Sequence, residues 1–277
     1  MAVFTKINSK DVKKIESIFN LGVITKVKGI KKGIENTNYL IKFNNTKFVL
    51  TIFEKRVKTK DLPFFMNLMS GLSNLNINCP RPMITKKKSY LFNIKSKKAC
   101  LVSFLKGNDK KTLTPKDCYV LGKNIAILHK ATKKLNLYRK NSLDVKSWSK
   151  LNKKIDKRIN KLSKNLKNII EESILNVEKN WPKNLPRGVI HSDLFIDNIF
   201  FLRKKFYGFI DFYFSSTDFY AYELATCINA ICFRKKKSKY ILDINKSSNL
   251  LNGYQKIRKL NSSEKNKFNI LCKGSAL

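Results

Sequence analysis

The chain has 277 residues, 43% of them hydrophobic and 11% aromatic, enough to bury the core of one large or two modest domains. Its formal net charge of +39 invites a nucleic-acid reading, but only eight of the 58 basic residues are Arg, and the Lys residues are spread along nearly the whole chain. Base readout and bidentate phosphate clamps favour Arg, so no specific nucleic-acid partner is expected. No apolar run approaches the roughly 20 residues that span a bilayer, and the amino terminus lacks a basic segment followed by an apolar one; no membrane association and a cytoplasmic location are expected.

In chain order, the first hundred or so residues read as a small α+β lobe. Residues 11–19 carry Val12, Ile15, Ile18 and Phe19 at helical spacing, and Gly22 closes the segment. Strand-like runs follow at 23–28 and 38–43, joined by a turn that bears Gly29 and Gly33, and a third run at 47–53 comes after Asn44-Asn45. Residues 61–75 predict a helix with Asp61 as N-cap, Pro63 in its first turn and Phe64, Phe65, Leu68, Met69 and Leu72 on one apolar face. Strands at 90–94 and 99–105 complete the lobe. The polar connector 106–109 puts the boundary after residue 105, leaving 106–277 as a second lobe.

That second lobe turns helical at Thr114-Pro115, with Leu121, Ile125, Leu128 and His129 on one face. On such a face a buried, satisfied histidine outweighs a ligand or a base. A long charged helical stretch is expected over 147–179, and further helical patterns lie at 220–233 and 247–257. The six cysteines include no CxxC pair and lie in apolar surroundings, which predicts reduced, mostly buried thiols. There is no internal repeat.

The chemistry lies between these helices. Val189-Ile190-His191-Ser192-Asp193 runs an apolar strand into a loop, Asn198 follows five residues after Asp193, and Phe209-Ile210-Asp211 is a second apolar strand ending in a carboxylate. Phosphoryl transfer to an alcohol needs a base for the hydroxyl proton and hard oxygen ligands for Mg²⁺. Asp193 is the expected base, Asn198 and Asp211 the expected metal ligands, and His191 a brace for the loop. Asp and Asn after strands are also common turn formers; here they coincide with two apolar strands and a preceding β lobe, in the order of a kinase. Asp197 has no place in that template and reads as a loop residue. Gly29 and Gly33, at a hairpin tip, could offer main-chain N–H groups to nucleotide phosphates, although two glycines in a turn are equally a structural device. Where the kinase pattern has a strand lysine, this chain has Thr51. Lys47 and Lys55 share a strand face by period-two alternation, which makes Lys55 the expected phosphate contact. No Glu between 61 and 75 could pair with it.

The motifs around Asp193, Asp197-Asn198, Ile210-Asp211 and Leu121-Gly122 to Leu128-His129 resemble the phosphotransferases of aminoglycoside- and choline-kinase type. Gly33-Ile34-Glu35-Asn36-Thr37-Asn38-Tyr39, Phe53-Glu54-Lys55-Arg56-Val57, Asp61-Leu62-Pro63-Phe64-Phe65, Asp211-Phe212-Tyr213-Phe214 and Leu251-Asn252-Gly253-Tyr254-Gln255 resemble the homoserine kinase branch of that group, over nearly the whole chain. The resemblance implies an α+β, bilobal, protein-kinase-like fold with a β-rich N-terminal lobe and a mostly helical C-terminal one. It also implies transfer of the ATP γ-phosphate to L-homoserine, with ATP and Mg²⁺ as cofactors. By it, Tyr213, Asp218 and Glu223 could face the substrate ammonium, while Asp218 and Glu223 could equally cap or brace the following helix. Glu223 stands where the family usually has Asp. The family generally continues beyond Lys273-Gly274-Ser275-Ala276-Leu277, so the resemblance implies a C-terminal lobe cut short. Oligomeric state has no sequence signal.

Overall fold

The computed structural model describes residues 3–33, 35–162, 164–237 and 239–277. It divides into two compact units, Met1–Gly107 with Tyr207–Tyr213, and Asn108–Phe206 with Phe214–Leu277.

The first unit opens with helix α1 (Ser9–Ile18), whose start is set by a capping box. The Asn8 side chain accepts from Asp11 N and the Asp11 carboxylate from Asn8 N. The helix therefore begins two residues earlier than its apolar spacing predicts. Strands β1 (Ile24–Gly29), β2 (Thr37–Phe43), β3 (Thr46–Ile52), β4 (Leu91–Ile94) and β5 (Lys97–Ser103) form one antiparallel sheet in the order β1-β2-β3-β5-β4. The alternation read from the sequence sorts their side chains. Tyr39, Ile41, Phe43, Phe48, Leu50 and Ile52 bury one face with Ile15 and Phe19 of the α1 region. The opposite face carries Asn38 across from Thr51, and Thr51 across from Cys100.

Helix α2 (Leu62–Asn74) follows a short 3₁₀ turn, Thr59–Asp61, and buries Phe65, Leu68, Met69 and Leu72 together with Leu62 and Met66. Asp61 occupies the N-cap position but has helical backbone angles and makes no capping bond, a correction to the expected role. The preceding 3₁₀ turn has already set the helical path.

In the second unit, α3 (Pro115–Lys133) starts as expected, with Thr114 and Asp117 forming a capping box. The charged helical stretch consists of two packed helices, α4 (Val145–Leu162) and α5 (Lys164–Asn180); residue 163, between them, lies outside the described residues. Strand β6 (Arg187–Ile190) leads into the motif, which continues through β7 (Ile199–Leu202) and β8 (Lys205–Phe209), whose residues from Tyr207 on are counted with the first unit. β9 (Ser216–Phe219) pairs antiparallel with β6, matching Ile190 to Ser216 and Gly188 to Asp218. Then come α6 (Tyr220–Ile231), the exposed hairpin β10 (Phe233–Lys236) and β11 (Lys239–Leu242), α7 (Ile244–Gln255) and α8 (Ser262–Ala276).

Helices α3 and α7 touch backbone to backbone through two glycines. A Cβ on Gly122 would lie 2.0 Å from Leu250 O, and one on Gly253 would lie 1.9 Å from Tyr119 O. Helices α6 and α8 pack through Ala221, Ala225 and Leu271, and Asn229 Nδ2 donates to Cys272 O. All the cysteines are free, and five of the six are buried.

Candidate active site

The buried strand residues Val189 and Ile190 carry the chain to His191, which is 1% exposed. Its Nδ1 accepts a hydrogen bond from Asp193 N at 3.3 Å, so the ring braces the loop as expected. Ser192 has a φ of +68°, in the left-handed region. Two contacts hold it there: its N–H donates to Glu223 Oε1 at 2.7 Å, and its hydroxyl lies 2.9 Å from that of Ser216 on β9. This turn sets the half-buried Asp193 at the head of the loop.

Asn198 ends a 3₁₀ turn, Ile196–Asn198, and is 8% exposed. Its Nδ2 donates to Asp193 O at 2.8 Å and to Asp193 Oδ2 at 3.0 Å. Those two bonds fix the plane of the amide and leave Oδ1 as a hard, neutral oxygen donor. Among the described residues no group of three or more His, Cys, Asp or Glu is placed to hold a metal ion. Mg²⁺ at a phosphate needs only one or two protein oxygens, the rest coming from phosphate and water. The Asn198 amide oxygen and the Asp211 carboxylate are each, taken singly, donors of this hard-oxygen kind. Asp211 belongs to the first unit, exposed, with a φ of +64°. Asp197 is exposed, as a loop residue should be.

Tyr213 turns into the sheet of the first unit. Its hydroxyl lies 3.5 Å from Thr51 Oγ1 and 3.5 Å from Cys100 Sγ, and its ring meets Phe53 and Phe65 edge-on. Burial pushes its phenol well above the ordinary value, with the Cys100 thiol adding to the effect.

Gly33 has a φ of +104° and nothing within 4 Å of where a Cβ would be, so glycine there serves the backbone alone. Gly29 closes β1 against Val3. Ile34 lies outside the described residues. The far side of this turn is tied down. Glu35 pairs with Arg56, Asn36 Oδ1 accepts from Glu54 N at 3.3 Å, and the Thr37 hydroxyl donates to Glu54 Oε1 at 2.7 Å. Glu54 also takes the Thr5 hydroxyl at 2.7 Å and pairs with Lys97. Lys55 is exposed and lies in a bend beyond β3, which ends at Ile52. Alternation therefore does not carry it onto the strand face shared by Lys47, a correction to the geometry that proposed it. Thr51, in the usual lysine position, is 2% exposed and donates to Asn38 Oδ1 at 2.8 Å.

Glu223, 1% exposed, engages both oxygens internally. Oε1 takes Ser192 N, and Oε2 lies 2.7 Å from His129 Nε2. His129 Nδ1 in turn lies 2.8 Å from the Tyr254 hydroxyl, which accepts from Arg258, itself paired with the buried Glu264. His129 is thus a satisfied core histidine, linked across α3, α6 and α7. Asp218, 8% exposed, is bonded by Asn141 Nδ2 at 2.7 Å and by Phe219 N at 2.7 Å; burial pushes its carboxyl up.

The Glu54 node, with Thr5, Thr37 and Lys97, went unread in the sequence. Its members are up to 92 residues apart, and no local spacing marks them. Ser192 had a signal only in its place beside Asp193.

Residues 26–260 match the phosphotransferase enzyme family. A homoserine kinase of Allorhizobium ampelinum is 40% identical over the whole chain and 85% of its own length, and one of Sinorhizobium fredii is 38% identical over the whole chain and 84% of its length. Among solved structures, amicoumacin kinase hAmiN in complex with AMP-PNP, Ca²⁺ and amicoumacin superposes with a TM-score of 0.70 at 14% identity, over 96% of this chain and 83% of that one. A microcompartment-associated aminopropanol kinase gives 0.68 at 12% identity, over 98% and 90%. These two likenesses establish the kinase-like fold.

Proposed function

The chain belongs to the phosphotransferase enzyme family and, within it, to the homoserine kinases, and on that footing we propose how its residues move the γ-phosphate of ATP to L-homoserine. The reaction joins the substrate's side-chain oxygen to phosphorus and releases ADP, giving O-phospho-L-homoserine for threonine biosynthesis. Asp193 accepts the hydroxyl proton. The observation that carries this role is the bond from Asn198 Nδ2 to Asp193 Oδ2 at 3.0 Å, which holds the carboxylate in one orientation at the head of a braced loop.

Asn198 through Oδ1 and Asp211 through its carboxylate would hold Mg²⁺, which when bound neutralises phosphate charge. The turn from Gly29 to Gly33 offers main-chain N–H groups to the nucleotide phosphates, and Lys55, exposed beyond β3, supplies a cation to them. Residues 1–105 serve as the nucleotide lobe and 106–277 as the catalytic and substrate lobe. Glu223 and Tyr213 act as positioning residues, because their polar atoms are taken up inside the protein.

The test is turnover of MgATP against L-homoserine, L-serine, L-threonine, choline and kanamycin, with the product identified by phosphorus NMR. A phosphate ester on L-homoserine, formed with the highest kcat/KM of the five, is expected. Activity confined to choline or kanamycin would refute the reading.

A further inference from the structure

The second unit contains a cavity of about 470 Å³ between β9, the 138–144 segment and helices α4 and α5. Its size suits a small solute. Its lining carries both signs of charge: Asp144, Glu178 and Asp218 border the one space together with Lys140, Lys146, Lys183 and Arg187.

Two of these acids are committed elsewhere: Glu178 takes the Ser149 hydroxyl at 2.7 Å, and Asp144 lies 3.7 Å from Lys140. Asp218 differs. It is the buried one, and each of its oxygens holds a single donor, from Asn141 and from Phe219 N. An ionised carboxylate has room for about four donors, so it can accept more. Beside it, Arg187 stacks its guanidinium over the Phe219 ring at 5.2 Å and acts on the Asp218 carboxylate through its charge, with no direct hydrogen bond or ion pair among the described residues. Its planar fork of donors is available at the cavity edge. Trp181 contributes an aromatic wall, edge-on to Trp148 and to Tyr222. A cavity that only fastened the 138–144 segment to β9 would need the Asn141–Asp218 bond and neither a guanidinium whose donors make no hydrogen bond nor the open volume.

We propose that this cavity binds a free α-amino acid, with its ammonium on Asp218, its carboxylate on the Arg187 guanidinium and a short side chain against Trp181 and Tyr222. A bidentate Arg–carboxylate pair reads that group with geometric specificity, and an ammonium offsets the cost of burying Asp218. Two sources share this chemistry: the acceptor L-homoserine in its reacting position, and a second amino-acid molecule bound apart from it. Only the choice of L-homoserine as first probe rests on the proposed function.

Calorimetric titration of the full chain, without nucleotide, tests the site. The probes are L-homoserine, 3-aminopropan-1-ol, which lacks the carboxylate, and 4-hydroxybutanoate, which lacks the ammonium. L-homoserine should bind about tenfold or more tightly than either truncated probe. Arg187→Ala should weaken L-homoserine about tenfold and leave 3-aminopropan-1-ol unchanged, while Asp218→Asn should weaken both and spare 4-hydroxybutanoate. Arg187 is exposed, so its variant keeps the test valid if Asp218→Asn fails to fold. A KM for L-homoserine that rises in step with the Kd assigns the cavity to the acceptor; an unchanged KM with loss of one of two bound molecules assigns it to a second one. Absence of binding to the wild-type chain, or L-homoserine affinity within twofold of wild type in folded Arg187→Ala, overturns the proposal. Absence of L-homoserine phosphorylation alongside intact, Arg187-dependent binding would instead count against the kinase reading alone.

Discussion

Glu223 Oε1 accepts a 2.7 Å hydrogen bond from the backbone N–H of Ser192, the residue immediately before Asp193, and so holds a φ of +68° that a side-chain-bearing residue seldom adopts. The other oxygen of the same carboxylate meets His129 Nε2 at 2.7 Å, so one buried group joins the loop to α3. Glu223→Ala leaves Ser192 N and His129 Nε2 without their shared partner, while His129 Nδ1 keeps Tyr254, and should cost on the order of 2–4 kcal/mol and lower kcat about tenfold or more. Glu223→Gln can accept from Ser192 with its oxygen and donate to His129 with its amide, and should retain most of both. Urea denaturation and steady-state kinetics on the pair check this; equal damage from the two substitutions would show that the bonds are not what matters.

In the proposed mechanism Asn198 has two jobs, and two readouts separate them. Asn198→Ala removes the tether on Asp193 and the oxygen for Mg²⁺ together, and should lower kcat by about 10²-fold while raising the Mg²⁺ concentration for half-maximal activity several-fold. A Mg²⁺ titration of the variant decides. A lowered kcat with an unchanged Mg²⁺ requirement would confine Asn198 to holding Asp193.

The Glu54 node should govern acid sensitivity of the first unit. Burial works to raise its carboxyl, but Lys97 and the hydroxyls of Thr5 and Thr37 outweigh it and hold the group below its ordinary 4.5. A depressed carboxyl contributes stability that is fully present above that ordinary value and is lost as pH falls through the lower folded one. Melting temperature should therefore fall between about pH 5 and pH 3, and more steeply in wild type than in Glu54→Gln. Parallel curves for the two proteins would place the acid sensitivity elsewhere.

Helices α3 and α7 have no room for a methyl group where they cross. Gly122→Ala or Gly253→Ala would put a Cβ about 2 Å from a backbone oxygen of the facing helix, an overpacking that costs about 3 kcal/mol or more. The two variants together should cost less than their sum, because the first has already forced the helices apart. Chemical denaturation of both singles and the double reads this directly, and an additive double would mean that each glycine acts alone.

Much of the fold was legible where the signal was local. The alternation of β2 and β3 became a buried and an open sheet face, and Thr114-Pro115 became a capped helix start. The loop from His191 to Asn198 was readable as a strand running into a candidate phosphoryl-transfer loop, because Asp193 and Asn198 stand five residues apart after an apolar run. Other features were hidden for physical reasons. Helix α8 buries only Glu264, Leu271 and Gly274, too few for an apolar period, although Asn261 and Glu264 carry the capping-box spacing that announces it. The β10–β11 hairpin is exposed throughout and shows no alternation. Lys55 was misplaced because period-two counting continued past the end of β3. The polar node at Glu54 and the glycine contact of α3 with α7 depend on tertiary neighbours that no window of sequence contains.

The most direct test of the account is the turnover of L-homoserine by Asp193→Asn in saturating MgATP. The change keeps the shape of the side chain and its place beside Asn198 but removes the proposed proton acceptor. The account predicts that kcat falls by about 10²-fold to 10⁴-fold while the KM for ATP stays within about twofold and the melting temperature is preserved. A variant that phosphorylates L-homoserine within tenfold of the wild-type rate would contradict it.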